Sequence, residues 1–263
     1  MSSGGEDSER KGERVAKVLA RAGVASRREA ERLIEQGRIS LNGRTLTTPA
    51  VLVGDGDELA LDGEPVAARQ PTRLWRYHKP PGLVTTHRDE KGRRTVFDAL
   101  PGDLPRVISV GRLDVNSEGL LLLTNDGELA RAMELPATGW TRRYRVRAFG
   151  KADEAALARL KRGVEVEGVR YGPVDVKIER ETPSHLWLLV GIKEGKNREV
   201  RKVLQSVELA VNRLIRISYG PFQLGNLEPG EVEEVTGKVL REQAPKSARA
   251  LFASGGTGRR AGR

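Results

Sequence analysis

Several residue types are absent or rare in this sequence. It contains no cysteine, which excludes disulfides, a thiolate nucleophile and zinc sites built on sulfur. The three histidines, His78, His87 and His185, are scattered, so we expect no transition-metal site. No apolar run approaches the roughly 20 residues of a membrane-spanning helix. The polar N-terminal segment also lacks the apolar core of a secretory signal, so we expect a cytoplasmic protein.

Acidic residues are outnumbered by basic ones. The chain has 46 lysines and arginines against 36 aspartates and glutamates, a formal net charge of +10. Such an excess favours a polyanionic partner, because each cation that meets a phosphate releases bound counterions. An ordinary soluble protein with a basic bias would show the same balance. An anionic membrane surface fits less well, since no basic amphipathic helix with bulky aromatic residues is present.

The length of 263 residues is sufficient for two domains. Both ends of the chain are rich in serine, glycine or arginine, a composition typical of disorder. We predict a disordered tail over residues 1–10, a small domain over 11–68, a larger domain over 72–246 and a basic disordered tail over 247–263. The segment from Gly63 to Thr72 is predicted to link the domains.

The small domain is predicted to contain two short helices followed by short strands. Apolar residues at helical spacing from Val15 to Ala22 predict the first helix, which Gly23 ends. The stretch Ser26–Glu29 is typical of a capping box, in which the serine accepts from the third amide and the glutamate reaches back. An Asn-Gly turn within Ile39–Arg44 and glycines within Val51–Leu61 predict short strands.

Arginines cluster on this small domain. If the two helices pack by their apolar faces, Arg27, Arg28 and Arg32 point away from the core, where their guanidinium groups suit phosphates. A solvated helix face would carry the same residues. The set that we predict to bind RNA is Arg21, Arg27, Arg28, Arg32, Arg38 and Arg44.

Residues 13–46, ERVAKVLARAGVASRREAERLIEQGRISLNGRTL, resemble the alpha-L RNA-binding domain of the S-four type. The first helix, the ASRREA start of the second helix and the GRISLNG strand occur in the order found in that domain. The resemblance implies RNA binding through the face formed by the two helices, which agrees with the arginine cluster.

The larger domain is predicted to be α+β with a largely antiparallel sheet. Tyr144, Val146 and Ala148 alternate with arginines, which predicts a strand with one buried and one basic face. Alternation over 174–179 and an apolar run over 185–192 predict two further strands. Helices are predicted over 152–162 and 197–206.

An aspartate in a glycine-bounded loop precedes the most apolar segment, in GRLDVNSEGLLLL. The stretch from Asp114 begins like a calcium-binding loop, but its later positions are leucines and its twelfth residue is Asn125, which excludes calcium. Leu120–Leu123 are predicted to form a fully buried strand, so Asp114 lies on a turn against the core. A carboxylate there needs a cationic partner or backbone donors to stay ionised. An aspartate that only caps its own turn is the structural alternative.

Three other stretches accompany this GRLD loop: YHKPPG at 77–82, RRYRV at 142–146 and EGKNREVRK at 194–202. In this order the four resemble the motifs of the RsuA/RluB family of pseudouridine synthases, which isomerise single uridines in ribosomal RNA. The resemblance implies that Asp114 is the essential aspartate, that Tyr144 lies against the target base and that Arg201 pairs with the aspartate and keeps it charged. It implies that Lys79 and Arg112 support the active-site loops.

The implied reaction needs neither a cofactor nor a metal. The bond from the sugar to the base nitrogen breaks, the uracil turns, and it is reattached through carbon. The base must first leave its stack, and an aromatic plane such as Tyr144 recovers part of that cost. Asp114 acts either as a nucleophile or as a base and electrostatic stabiliser. RNA contacts in this domain are predicted for Lys79, Arg112, Lys196 and Arg198, whereas His78 is expected to be structural.

The predicted partner is ribosomal RNA or a precursor of a ribosomal subunit, bound by a monomer. The full helix-strand module and the basic tail favour large-subunit RNA, with small-subunit RNA as the alternative. One rival is a non-catalytic RNA-binding or ribosome-assembly factor, in which Asp114, Tyr144 and Arg201 would not converge. Another is a glycosidase, which needs a second carboxylate at roughly 5–10 Å from the first, with Glu118 the nearest acid in sequence.

Overall fold

A computed structural model describes residues 12–67, 70–151 and 153–252 of the chain. The chain divides between Pro71 and Thr72 into two compact units. Within the described ranges, no helix is both long enough and apolar enough to cross a membrane. The predicted tail over 1–10 and residues 253–263 lie outside the described residues.

The N-terminal unit consists of two short helices and two small antiparallel sheets. Its elements are β1 (Glu13–Arg14), α1 (Val15–Arg21), α2 (Arg27–Glu35), β2 (Ile39–Leu41), β3 (Arg44–Thr45), β4 (Leu52–Val53), β5 (Leu59–Leu61) and β6 (Glu64–Pro65). Strand β1 pairs with β4, and the second sheet has the order β3-β2-β5-β6. The two predicted helices and the short strands after them are confirmed.

The start of α2 explains why this unit presents arginines on its outside. The Ser26 hydroxyl accepts a hydrogen bond from the Glu29 amide at 3.1 Å, as predicted. The Glu29 carboxylate pairs with Arg32 instead of returning to Ser26, so only half of the predicted capping box forms. Leu33 and Ile34 turn into the core of the unit, which leaves the charged positions of α2 exposed.

The predicted linker begins too early. Glu64 and Pro65 form strand β6, which pairs with Leu61 and Ala60 of β5. The reason is the Asp62-Gly63 pair, in which both residues have positive φ (52° and 87°) and make a tight hairpin turn. The sequence carried this Asp-Gly signal, so residues 64–65 belong to the N-terminal unit rather than to a linker.

The C-terminal unit is built on a nine-stranded sheet. Its strands and helices are β7 (Leu74–Lys79), β8 (Ile108–Val110), β9 (Glu118–Thr124), α3 (Gly127–Glu134), β10 (Arg142–Phe149), α4 (Glu154–Arg159), β11 (Val164–Val166), β12 (Val169–Tyr171), β13 (Val174–Glu181), β14 (Leu186–Ile192), α5 (Glu199–Gln205), β15 (Ala210–Tyr219), β16 (Phe222–Gln223), β17 (Val232–Glu234) and α6 (Gly237–Gln243). Short 3-10 helices cover Phe97–Ala99, Pro136–Thr138, Leu160–Arg162 and Lys246–Phe252. The predicted α+β class is confirmed.

The order of the sheet is β13-β14-β10-β15-β9-β7-β17, with β8 paired to β9 and β16 to β15. Strands β15 and β9 run parallel, and the other strand pairs of this sheet are antiparallel. The parallel pair places Ile215 and Arg216, in the middle of β15, beside the start of β9, directly after the GRLD loop. Residues far apart in sequence therefore meet next to Asp114.

Strand β9 is buried on both faces, as its four leucines predicted. Leu121 and Leu123 belong to one apolar cluster, together with Val146 on β10. Leu120 and Leu122 belong to a second cluster, on the other face, that includes residues of α3 and α6. Because apolar layers cover both faces, β9 holds the loop before it on a fixed base.

The predicted tail over 247–263 begins too early as well. Residues up to Phe252 form a 3-10 helix, in which Ala248 is buried and Leu251 and Phe252 pack against the second apolar cluster. The spacing of these three residues places them on one side of the helix, which is sufficient to attach it to the core. The rest of that predicted tail lies outside the described residues.

Candidate active site

A cleft of about 610 Å³ opens in the C-terminal unit. The segments that line it include the GRLD loop after β8, the end of α3, the start of β10, the loop before α5 and the second half of β15. Of the predicted functional residues, Arg112, Asp114, Tyr144, Lys196 and Arg198 line this cleft. Lys79 and Arg201 are not part of its wall.

The GRLD loop presents Asp114 on a turn held by backbone hydrogen bonds. The Ser117 amide donates to the Asp114 carbonyl at 2.9 Å, and the Gly82 amide donates to the Val115 carbonyl at 2.7 Å. The Asp114 side chain keeps 32% of its surface exposed. It is therefore a partly exposed carboxylate on a fixed backbone at the cleft wall.

Lys79 lies beneath this turn and is completely buried. Its ammonium donates to the carbonyls of Pro80 (3.0 Å), Val115 (3.3 Å) and Ser117 (2.8 Å). Burial lowers the pKa of Lys79 to about 8, against the attraction of the Asp114 and Glu118 carboxylates. The prediction that Lys79 binds RNA is wrong, because no part of it reaches the surface. The supporting role implied by the family resemblance fits its contacts.

Arg198 is the cation that approaches Asp114. Its Nη1 lies 4.0 Å from the carboxylate Oδ2. Arg201, the predicted partner, instead donates to the carbonyls of Val211 (2.8 Å) and Asn116 (3.3 Å). The predicted ion pair is therefore wrong in its geometry. Burial lowers the pKa of Arg201, the Arg198 charge adds to this effect, and Asp114 opposes it, so the three groups interact electrostatically.

The loop before α5 positions Arg198 through its backbone conformation. Arg198 precedes the first residue of α5 and has a φ of 51°, in the left-handed region that is uncommon for residues other than glycine.

The buried Glu199 carboxylate accepts from the Lys196 amide at 2.9 Å, and burial raises the pKa of Glu199. The Lys196 ammonium binds Glu194 (2.8 Å) and the Arg170 carbonyl (2.6 Å), so it is already engaged.

Tyr144 enters the cleft from β10 and is largely buried. A register shift between Arg143 and Tyr144 interrupts the pairing with β15, and Arg216 is the residue opposite Tyr144. Bulges of this kind redirect side chains and are frequent next to active sites. Asp114 and Tyr144 therefore share one cleft, as the sequence predicted.

The sequence analysis missed three residues of the cleft. Arg216 is buried at the base of the wall, and Arg142 donates to the Tyr219 hydroxyl at 2.8 Å. Burial raises the pKa of Tyr219, against the effect of the Arg142 and Arg216 charges. The signal for Arg216 was its position two residues after the buried Leu214, on the same face of β15.

The glycosidase alternative lacks its second carboxylate at the predicted position. Glu118 makes two hydrogen bonds to Arg213, at 2.6 and 3.0 Å, and is not part of the cleft wall. Glu134 does line the cleft, but it accepts from the Gly111 amide at 2.6 Å. The non-catalytic alternative predicted that Asp114, Tyr144 and Arg201 would not converge. Asp114 and Tyr144 do meet in the cleft, whereas Arg201 lies outside its wall.

The predicted arginine cluster of the N-terminal unit is only partly exposed. Arg21 is buried and pairs with Glu13, so its prediction as an RNA contact is wrong. Arg32 pairs with Glu29, and Arg38 makes two hydrogen bonds to Asp62. The members that are exposed without an ion pair in the described part of the chain are Arg27, Arg28 and Arg44.

Residues 13–59 match the S4 domain family, and residues 73–206 match the RNA pseudouridylate synthase family. The chain is 46% identical, over 230 residues, to an uncharacterized RNA pseudouridine synthase of Rickettsia felis, with 88% of this chain and all of the relative covered. It is 42% identical to the ribosomal large subunit pseudouridine synthase B of Haemophilus influenzae, with 88% of this chain and 68% of the relative covered.

The corresponding protein of Salmonella typhi is 44% identical, over 81% of this chain and 75% of its own length. Among solved structures, a crystal structure of a pseudouridylate synthase matches with a TM-score of 0.63 at 24% identity, covering 88% of this chain and 99% of the other. At that identity the structural match establishes the fold alone.

Proposed function

The chain belongs to the RNA pseudouridylate synthase family and is a pseudouridine synthase; we propose that it isomerises a uridine of large-subunit ribosomal RNA. Two relatives at 42% and 44% identity carry the name ribosomal large subunit pseudouridine synthase B, which supports this substrate. The alternative of a small-subunit target predicts a modified uridine in the other RNA. We also propose that the enzyme acts as a monomer in the cytoplasm. A single chain brings Asp114 and Tyr144 into one cleft, which supports the monomer.

The observation that carries the proposal is the joint presence of Asp114 and Tyr144 in one cleft. A uracil that leaves its stack loses about a few kcal/mol, and stacking on the Tyr144 ring recovers roughly 1–3 kcal/mol. With the base held against Tyr144, the bond between the sugar C1′ and the base N1 lies within the cleft. Asp114 is the carboxylate that faces this bond, where it attacks C1′ or takes a proton from the sugar.

RNA enters this arrangement as a polyanion. Arg112 and Arg198 are exposed at the cleft wall and would meet phosphates next to the target nucleotide. In the N-terminal unit, the S4 match and the exposed Arg27, Arg28 and Arg44 support a second set of phosphate contacts. Lys196 is less suited, because Glu194 already neutralises its charge.

The proposal is tested by replacing Asp114 with Asn. We expect the single-turnover rate on isolated large-subunit RNA to fall at least about 100-fold, the lower range for losing a group that takes part in proton transfer. RNA affinity should change little, because the substitution keeps the shape of the side chain. The matched control is Asp175→Asn, which alters a carboxylate that is 78% exposed on β13.

Two outcomes would contradict the proposal. Conversion at the wild-type rate by the Asp114→Asn variant would remove Asp114 from the reaction. Mapping pseudouridines in cells that lack the protein tests the substrate, since a missing modification in small-subunit RNA alone would identify the other target. Comparing naked RNA with an assembling particle in the same assay shows which form is modified.

A further inference from the structure

Arg216 is an almost completely buried arginine in the wall of the cleft. It lies on β15 with 2% of its surface exposed. Its Nε donates to the Leu120 carbonyl at 2.7 Å, whereas its buried Nη2 has no hydrogen-bond partner among the described residues. A buried guanidinium whose hydrogen-bonding capacity is unused destabilises the free protein, unless another molecule supplies the acceptor.

The position of Arg216 is fixed by its neighbours. A methyl group at Gly119 would lie 2.7 Å from the Arg216 backbone nitrogen and closer still to its carbonyl oxygen, so the parallel strands are in close contact. The Arg216 guanidinium carbon lies 5.1 Å from the centre of the Tyr219 ring. These contacts therefore restrict the Arg216 side chain to one conformation.

Arg216 lies directly across the sheet from Tyr144. Opposite residues of an antiparallel pair point to the same face, with Cβ atoms about 4.5–5.5 Å apart. A base stacked on the Tyr144 ring would consequently have an edge beside Arg216. The edge of uracil carries two carbonyl oxygens, O2 and O4, which are the acceptors that a guanidinium needs.

The charge of Arg216 is not neutralised by a carboxylate of the cleft. In the part of the chain that the structure describes, Arg216 forms no ion pair within 4.0 Å. The glutamates of the cleft wall are engaged elsewhere: Glu134 accepts from the Gly111 amide, Glu194 pairs with Lys196, and Glu199 accepts from the Lys196 amide. Arg216 therefore adds to the cleft wall a positive charge that no carboxylate of the described residues pairs with.

We propose that Arg216 donates a hydrogen bond to a carbonyl oxygen of the target uracil and stabilises the detached base. This inference rests on the proposed function. When the C1′–N1 bond breaks, its electron pair stays with the uracil and spreads over N1, O2 and O4. Arg216 keeps all its protons and meets this negative charge. The uracil uses this electron pair to form the new C1′–C5 bond, which displaces the Asp114 carboxylate from C1′ or returns the sugar proton that Asp114 took. The proton on C5 then passes to water and N1 takes a proton from water, so the base ends neutral.

The first experiment compares Arg216→Gln, Arg216→Lys and the wild type under single-turnover conditions. We expect Arg216→Gln to lower the rate of conversion about 100-fold, the loss typical of removing one donor aimed at developing charge. The dissociation constant for RNA should change far less. Arg216→Lys keeps the positive charge but lacks the paired N–H donors of the guanidinium. Its rate of conversion should lie between the rates of the wild type and Arg216→Gln. The matched control is Arg145→Gln, an exposed arginine on the other face of β10.

A second experiment identifies the acceptor on the RNA. The target uridine is replaced by 2-thiouridine or 4-thiouridine, in which sulfur is a poor acceptor, or its phosphate is replaced by a neutral methylphosphonate. We expect the loss in rate caused by Arg216→Gln to become smaller with one of the thiouridines and to stay the same with the methylphosphonate. A penalty that disappears only with the methylphosphonate would assign Arg216 to the phosphate and overturn the proposal.

A purely structural role would also overturn it. In that case Arg216→Gln and Arg216→Lys would lower the melting temperature, and the penalty in rate would be equal for uridine and both thiouridines. Failure of the proposed function looks different, since the wild-type protein would then leave the unmodified large-subunit RNA unchanged. If the wild type converts the RNA and Arg216→Gln converts it at the same rate, only the role of Arg216 is refuted.

Discussion

Arg198 approaches the Asp114 carboxylate from the loop before α5, with Nη1 at 4.0 Å from Oδ2. Arg201, one turn further along the chain, binds the carbonyl of Asn116, two residues beyond Asp114 in the GRLD loop. The two arginines therefore act on the same loop in different ways. One places a charge beside the carboxylate, and the other fixes the backbone that carries it.

Replacing Arg201 with Gln should loosen the GRLD loop. The variant loses the hydrogen bonds to the carbonyls of Val211 and Asn116, which is expected to destabilise the C-terminal unit by about 1–3 kcal/mol. The rate of conversion should fall because Asp114 is no longer held in place. Hydrogen exchange of the Ser117 amide, which donates to the Asp114 carbonyl, should become faster and is the direct readout.

Arg198→Asn serves as the comparison for that experiment. Asn tolerates the positive φ of Arg198, so the fold should be maintained while the charge is removed. A partly exposed ion pair contributes up to about 1 kcal/mol, which corresponds to an effect of about fivefold on the rate, smaller at high salt. If exchange at Ser117 accelerates in Arg198→Asn but not in Arg201→Gln, the two roles are assigned the wrong way round.

Titration of Lys79 should reduce activity at alkaline pH. Burial lowers the pKa of Lys79 to about 8, so above this pH the ammonium loses a proton and with it one donor to the carbonyls of Pro80, Val115 and Ser117. We expect the single-turnover rate to decline through pH 8 as the GRLD loop loses support. The measurement is a pH profile of the wild type beside Lys79→Met, which should show a lower rate without this decline.

The free energy of unfolding should rise with pH over the range in which the activity declines, because of the same lysine. Between the folded pKa of about 8 and the ordinary value of 10.5, the unfolded chain binds more protons at this site than the folded chain. The cost of burying the ammonium is therefore complete below pH 8 and is relieved as the pH rises through that interval. The difference in the free energy of unfolding between the wild type and Lys79→Met, measured by denaturant titration at several pH values, isolates this contribution. A stability of the wild type relative to Lys79→Met that falls with rising pH would contradict a lowered pKa of Lys79.

Alanine at Gly119 should destabilise the C-terminal unit more than alanine at a glycine with positive φ that has open space around it, such as Gly92. Gly119 has a φ of 103°, and its missing side chain leaves room for the backbone of Arg216. Two contributions should add in the loss of unfolding free energy of Gly119→Ala. Backbone strain costs about 1–2 kcal/mol, and overpacking costs about 1–3 kcal/mol. Urea unfolding followed by tryptophan fluorescence measures the loss, because Trp75, Trp140 and Trp187 all lie in this unit.

The control is Gly92→Ala. Gly92 also has a positive φ, of 66°, but no atom in the described part of the chain lies within 4 Å of the position of an added methyl group. It should lose only the strain, about 1–2 kcal/mol. Equal losses at the two glycines would mean that the close approach of β9 and β15 does not limit the size of residue 119.

The sequence was sufficient for the parts of the site that depend on local pattern. The turn before four leucines placed Asp114 just before a buried strand, and the alternation around Tyr144 defined a strand with one inward face. Both signals lie within a few neighbouring residues. A strand with one buried face buries every second residue, and a strand between two apolar layers buries all of them. These are the elements that bring Asp114 and Tyr144 together.

The missed features depend on contacts between distant segments. Lysine is almost never fully buried, so nothing in YHKPPG indicated that Lys79 lies inside the protein. Arg198 and Arg201 are three residues apart, and which of them meets Asp114 depends on where α5 begins and on the left-handed conformation of Arg198. The place of Arg216 beside Tyr144 and the GRLD loop depends on the pairing of β15 with β10 and β9, which joins segments far apart in sequence.

The salt dependence of RNA binding should separate exposed from buried arginines in the N-terminal unit. Arg27 and Arg28 are exposed, whereas Arg21 is buried and paired with Glu13. Replacing Arg27 and Arg28 with Gln should weaken binding and lower the slope of log K against log salt by about 0.7–0.9 for each phosphate that the variant no longer neutralises. Arg21→Gln should reduce stability and leave the slope unchanged, because a cation inside an ion pair releases no counterions from RNA. Equal slopes for the wild type and the Arg27, Arg28 double variant would show that the RNA binds elsewhere on the protein.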